Sequence, residues 1–175
     1  MSSKFGGSTV KISGVSADLN VGLGGALSRS VILFGEIVAS NITDPEFKID
    51  NTKVKTTNVS AGAFGIGVGL AYYLPSNTYF SATLASTQLS IQRNDQNTST
   101  ETNSGLGVTL QVGQEWWVGR DWGLGVAGQF LTASMKDNDT GTGNPPTWKT
   151  TGFGVLCSAS YNLPERSASA RGFRA

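Results

Sequence analysis

The sequence predicts an all-β chain folded as an antiparallel up-and-down β-barrel of the eight-stranded type. Three observations carry this expectation. Apolar residues recur at every second position along seven stretches, the composition is glycine-rich and charge-poor, and the connections alternate between short and long. Glycine makes up 23 of 175 residues, roughly double its usual share of about 7%. Charged residues are 14%, against about 25% in an ordinary soluble domain. A sheet with an apolar outer face and an interior of small, polar side chains accounts for both values.

In the first stretch Val15, Ala17, Leu19, Val21 and Leu23 share one face and Ser16, Asp18, Asn20, Gly22 and Gly24 the other. The second, from about Val31 to Ser40, sets Val31, Leu33 and Ile37 outward and Phe34 and Glu36 inward. From about Val59 to Tyr72, Phe64, Ile66, Val68 and Leu70 alternate with Gly65, Gly67 and Gly69. A fourth stretch, about Tyr79 to Gln92, loses phase near Ser86, which predicts a β-bulge. Leu106, Val108, Leu110 and Val112 mark the fifth; Trp122, Leu124, Val126 and Phe130 the sixth; Phe153, Val155, Cys157, Ala159 and Tyr161 the seventh. Most reach the roughly 9 to 11 residues with which a tilted strand crosses a bilayer. Short connections fall near Leu27–Ser30, Pro75–Asn77 and Gly119–Asp121, and long polar ones near Asn41–Thr57, Arg93–Asn103 and Lys136–Lys149.

Alternation also occurs in soluble barrels, so charge placement has to decide which face meets what. Within the strands the carboxylates Asp18, Glu36 and Glu115 all fall on the face opposite the apolar one. With Gln111 and Gln129 they form an expected polar cluster inside the barrel. The apolar face carries no charge, as lipid contact demands: an Arg or Lys near the bilayer midplane costs about 2 to 4 kcal/mol. Tyr72, Tyr73, Tyr79, Trp116, Trp117, Trp122 and Tyr161 gather at the short-turn ends. Amphipathic rings favour the headgroup zone, which predicts an aromatic girdle there. The fold class is therefore a transmembrane β-barrel, and the alternative is a soluble β-barrel around a hydrophobic ligand.

Several function classes drop out. The chain has no histidine, which removes Ser-His catalysis and histidine metal ligation. Its net charge of +1 gives no basic surface for nucleic acid. One cysteine, Cys157, excludes an intrachain disulfide. No run of about 18 apolar residues encodes a membrane helix, and Met1–Gly7 lacks the apolar core of a signal peptide. Gly123-Leu-Gly-Val-Ala-Gly128 matches a dinucleotide fingerprint in spacing but lies within an alternating strand instead of at a strand-to-helix turn. The acids read as hydrogen-bond partners in the interior, and neither catalytic residues, a metal nor a cofactor is expected.

Single-chain bacterial barrels have an even number of strands, and seven are visible. Residues 1–14 read as the remnant of an outer loop or a short substitute strand, 15–162 as the barrel, and 163–175 as a flexible tail. An additional first strand is expected to close the sheet and to bring an Arg or Lys to the interior acids.

The runs Gly113-Gln-Glu-Trp-Trp-Val118, Asp121-Trp-Gly-Leu-Gly-Val-Ala-Gly-Gln129 and Gly67-Val-Gly-Leu-Ala-Tyr-Tyr-Leu-Pro75 resemble small outer-membrane β-barrel proteins of myxobacterial and related genomes. They are similar to the broad superfamily of opacity-type and OmpA-membrane-domain-like barrels, over about Ile12 to Asn162. The resemblance implies eight strands, a signal peptide and a Gram-negative outer-membrane address, and it carries over no catalytic residues. Members tend to end on an aromatic residue at the last strand, which the barrel-assembly machinery recognises, whereas here Tyr161 is followed by a tail rich in Ser, Ala and Arg. The function expected is a structural or surface-interaction role through the long outer loops, in contact with outer-membrane lipid and lipopolysaccharide. A narrow pore or small-ligand transporter is the alternative.

Overall fold

The computed structural model describes residues 2–5, 8–43, 45–49, 52–55, 59–93, 98–101, 103–136 and 147–161. Every regular element among them is a strand. In chain order they are β1 (Ser2–Phe5), β2 (Ser8–Ser13), β3 (Ser16–Ala26), β4 (Val31–Thr43), β5 (Glu46–Ile49), β6 (Thr52–Lys55), β7 (Val59–Tyr73), β8 (Thr78–Arg93), β9 (Thr98–Glu101), β10 (Gly105–Trp117), β11 (Trp122–Lys136) and β12 (Thr147–Tyr161). The long strands β3, β4, β7, β8, β10, β11 and β12 lie side by side in that order, each antiparallel to the next. They match the seven alternating stretches, so the fold is all-β and barrel-like as expected.

Tight turns join these strands at one end. Leu27 N–H donates to Val31 O at 2.8 Å, and Val118 N–H to Trp122 O at 3.0 Å. In the turn after β7, Leu74 N–H donates to Thr78 O and Asn77 N–H returns to Leu74 O. Asn77 has φ 61°, a left-handed conformation that Asn tolerates better than other residues with a Cβ.

The sheet curls far enough for its two ends to meet through side chains. Asn20 Nδ2 on β3 donates to Gln129 Oε1 on β11 at 2.7 Å. A Cβ at Gly154 on β12 would lie 3.5 Å from Asp18 Oδ2. Among the described residues no backbone pairing joins β3 to β12, however, and a seam runs between them. The N-terminal residues do not fill it. Those described fold as the β1–β2 hairpin at the long-connection end, where among the described residues β1 meets β12 only at Ser2↔Lys149. From there β2 pairs with β5 and β5 with β6, so part of the long connection expected at Asn41–Thr57 is itself sheet. There Lys53 Nζ lies 2.8 Å from Glu46 Oε1; the hydrogen bond and then the charge of Glu46 hold this exposed ammonium above the ordinary lysine range. The connection at 137–146 and the tail at 162–175 lie outside the described residues.

The bulge expected near Ser86 is absent. Strand β8 pairs without interruption with β7 from Arg93 to Tyr79 and with β10 from Thr87 to Thr78. The lost phase has a different cause, which is that the apolar side chains change face while the backbone keeps its register. Phe80 and Leu84 point outward and are half exposed, whereas Leu89 points inward and is 1% exposed. The same exchange occurs on β11, where Leu124 and Val126 are outward and Ala133 and Met135 inward, and on β12, where Phe153 and Val155 are outward and Trp148 inward. At the long-connection end Leu89, Ala133, Met135 and Trp148 pack together as an apolar core with Ala63 against them.

Candidate functional site

Two features of the molecule need an explanation: a polar interior below that core, and an apolar outer surface around it. The interior forms separate tiers instead of the single cluster expected from the sequence. In the middle tier Gln129, 5% exposed, sits where Gln111 is its direct cross-strand partner. Gln111 Nε2 and Asn20 Nδ2 both donate to Gln129 Oε1, at 3.0 and 2.7 Å, and Ser81 Oγ donates to Gln111 Oε1 at 3.4 Å. Glu36, 6% exposed, accepts from Thr83 Oγ1 at 2.8 Å.

The tier next to the short turns is built on Glu115, 5% exposed. Ser160 Oγ donates to its Oε1 at 2.7 Å and Tyr73 OH to its Oε2 at 3.3 Å. Tyr73 stacks on Tyr79 with ring centroids 5.3 Å apart. Room for these rings comes from a glycine on the neighbouring strand: a Cβ at Gly113 would fall 2.5 Å from the Tyr79 ring. Tyr79 is 8% exposed.

Tyr73 and Tyr79 therefore line the interior and are not part of an outer ring as the sequence suggested. Trp117 also departs from it, covering Gly123 at the rim of the interior, where a Cβ on that glycine would be 3.5 Å from the indole. Tyr72, Trp116, Trp122 and Tyr161 are the girdle candidates that do point outward and stay about half exposed. Trp122 and Tyr161 pack with centroids 4.9 Å apart. Sequence reading put Asn20 on the inner face but assigned neither it nor Thr83, Ser160 or Tyr73 to the polar interior cluster. Their residue types carry no distinguishing signal until the register places them opposite an acid or an amide.

Asp18 stands apart. Among the described residues its Oδ1 is buried without a hydrogen-bond partner, and so are Asn20 Oδ1, Thr150 Oγ1 and Ser158 Oγ. All four atoms belong to β3 or β12, the two strands that border the seam.

The outer surface inverts the usual order of a folded domain. Leu19, Val21, Leu23, Phe64, Ile66, Val68, Leu70, Leu110, Val112, Leu124, Val126, Phe153 and Val155 are all at least 44% exposed. With Ile37 on β4 and Phe80 and Leu84 on β8, also at least 44% exposed, they form a belt around all seven long strands, far beyond the few hundred Å² of contiguous apolar patch usual on a soluble monomer. On β11 and β12 the belt ends at one side on the Trp122–Tyr161 pair and at the other on Phe130–Phe153, whose rings are also 4.9 Å apart. Cys157 lies exposed within it. Beyond Phe130 and Phe153 the outward residues are Thr132, Ser134, Lys136, Thr151 and Lys149.

Nothing among the described residues gathers three or more His, Cys, Asp or Glu in a way that could hold a metal ion, and no helix is long and apolar enough to cross a membrane. No family model matches this chain, and no curated protein or solved structure matches it.

Proposed function

We propose that this chain spans a lipid bilayer as an outer-membrane-type β-barrel with a non-enzymatic, structural or surface-interaction role exercised at its long-connection end. One observation carries the reading: the outward belt of exposed apolar side chains is free of charge on every long strand. Its dimensions suit a bilayer. From Trp122 to Phe130 on β11, and from Phe153 to Tyr161 on β12, it covers nine residues of strand. At about 3.3 Å per residue and a tilt of about 40° this gives roughly 20 Å, near the roughly 25 Å apolar band of such barrels. Tyr72, Trp116, Trp122 and Tyr161 at its lower margin are suited to the headgroup zone. Outer-membrane lipid and lipopolysaccharide would then be its immediate surroundings, and the barrel-assembly machinery its route there.

The filled interior favours a structural role over a pore. Amide and carboxylate tiers occupy the middle, and Leu89, Ala133, Met135 and Trp148 occupy the outer end. The β1–β2 and β5–β6 hairpins project beyond the belt and carry Lys11, Glu46, Lys48 and Lys53, a charged surface available to partners.

The test is reconstitution into phosphatidylcholine vesicles, read by heat-modifiable gel migration and by reaction of Cys157 with a membrane-impermeant maleimide. A compact form that migrates differently after boiling, with Cys157 shielded until detergent unfolds the chain, is the expected result. A chain that stays monodisperse in water without detergent, or a Cys157 that reacts equally fast in vesicles and in denaturant, overturns the reading in favour of a soluble barrel.

A further inference from the structure

Lys149 stands on the outward face of β12, since Trp148 and Thr150 on either side of it are buried. Residues paired directly across a ladder share a face of the sheet. Lys149 pairs with Ser2, Ser2 with Lys11, Lys11 with Lys48 and Lys48 with Lys53. The outer wall therefore bears a single row of four lysines across β12, β1, β2, β5 and β6. Like charges directly opposite one another destabilise a sheet. Glu46 relieves Lys53 from 2.8 Å away. Among the described residues Lys11, Lys48 and Lys149 have no carboxylate partner. Such a row calls for an anion from outside the chain.

Below the row the same wall is hollowed. Ala17, Asn41, Gly62 and Ser90 follow one another as direct partners across β3, β4, β7 and β8. They face outward, because Ala61 and Leu89 beside them on β7 and β8 are buried inside. Their small side chains leave a groove of about 430 Å³, with Ser60 at its upper end and Leu19 at its lower. A second hollow of about 330 Å³ runs on from Gly62 and Ser90 to Phe64 and Gln88. Leu19 and Phe64 belong to the apolar belt, so the groove is polar toward the lysines and apolar toward the belt. Strand β2 leads into β3 and β5 follows β4, which sets Lys11 and Lys48 above Ala17 and Asn41. The six steps from Ala17 to Lys11, at about 3.3 Å each and a tilt of about 40°, raise the row roughly 15 Å above the groove floor. Lysine stems leaning toward the belt shorten that gap. We propose that this groove binds one phosphate-bearing lipid of the surrounding leaflet. Its phosphate meets Lys11 and Lys48, its ester or amide linkage meets Asn41, Ser60 and Ser90, and an acyl chain lies over Ala17, Gly62 and Leu19. Charge complementarity selects this occupant, and the order of cation, amide and hydroxyl, then bare apolar wall is the order of parts in such a lipid. The assignment rests on the bilayer reading proposed above.

The experiment refolds the full 175-residue chain into phosphatidylcholine vesicles containing a minor share of phosphatidic acid. Insertion is read by shielding of Cys157 and by heat-modifiable migration. The lipid kept after transfer to mild detergent is counted by native mass spectrometry. One phosphatidic acid per chain is expected, favoured over phosphatidylcholine by at least about tenfold. Lys11→Gln combined with Lys48→Gln is expected to remove that preference, and Lys136→Gln, outside the row, to keep it. Gly62→Leu fills the groove and leaves every charge in place. A Cβ there meets Ser40 O at 3.6 Å and Ser90 O at 3.9 Å, ordinary contacts, so the variant is expected to insert and to lose the lipid. Ser90→Leu is the second groove-filling variant, used where the first does not insert. Retention that survives the groove-filling substitutions overturns the groove. Displacement of the lipid by glycerol phosphate, which has the headgroup and no chain, shows a site for a free anion, and a lipid-free dimer shows a second copy in the groove; either result overturns the proposed occupant. A chain that inserts without preferring phosphatidic acid overturns the site and leaves the bilayer reading standing, whereas a chain that does not insert overturns both.

Discussion

Replacing Val126 by Arg tests which solvent the belt meets. Val126 lies midway between Trp122 and Phe130 on β11, pairs with Cys157 on β12, and is 44% exposed. At the midplane of a bilayer an arginine on the outer face costs about 2 to 4 kcal/mol. That corresponds to a loss of roughly 30-fold to 700-fold in the ratio of folded to unfolded protein, at about 1.4 kcal/mol per factor of ten. The paired control is Ser134→Arg, on the outward face of the same strand but beyond Phe130, where the cost falls to about 0 to 1 kcal/mol. The assay is reversible urea unfolding in phosphatidylcholine vesicles, followed by the fluorescence of Trp116, Trp117, Trp122 and Trp148. On a water-exposed surface both substitutions would stay within about 0.5 kcal/mol. Equal, small effects at positions 126 and 134 would therefore refute the bilayer argument, and equal, large effects would show that the boundary at Phe130 is misplaced.

Four further outcomes follow from the interior. Gln129→Leu leaves the amides of Asn20 and Gln111 without their shared acceptor and is expected to cost about 1 to 3 kcal/mol in the same unfolding assay. Met135→Ala, at a side chain 1% exposed in the outer core, is expected to cost about 2 to 5 kcal/mol. Gly67→Ala would set a Cβ 2.5 Å from Leu84 O and 2.8 Å from Ala85 Cα, whereas Gly152→Ala meets nothing within 4 Å. The first is expected to destabilise by about 1 to 3 kcal/mol, with the second close to wild type. Planar-bilayer recordings are expected to show no stepwise conductance in wild type, and opening on Trp148→Ala would mark the outer core as the barrier.

Seven alternating stretches were enough to locate every long strand, because a two-residue period survives wherever one face is apolar and the other small. Interior acids were legible for the same reason: Glu36 and Glu115 sit opposite apolar neighbours in the sequence and are buried in the fold. Adjacent aromatics were not. Tyr79 and Phe80 are alike to a pattern reader, and only the glycine facing Tyr79 across the ladder, Gly113, shows which ring turns in. The stretch around Ser86 misled for a physical reason, since exchange of the apolar face between Leu84 and Leu89 imitates an inserted residue. Short hairpins in the long connections were hidden because β2 and β5 are four to six residues each and find partners more than thirty positions apart.

That exchange of faces has a consequence for depth. A cylinder that is greasy outside along its whole height could ride up and down through a film of oil at little cost. Here the strands swap polarity partway, so in the proposed bilayer raising the barrel would strip Leu and Val of their solvent and sinking it would drag Ser134, Lys136 and Lys149 beneath the surface. Such an object would have a waterline, and whatever the hairpins contacted, they would meet it at a constant height.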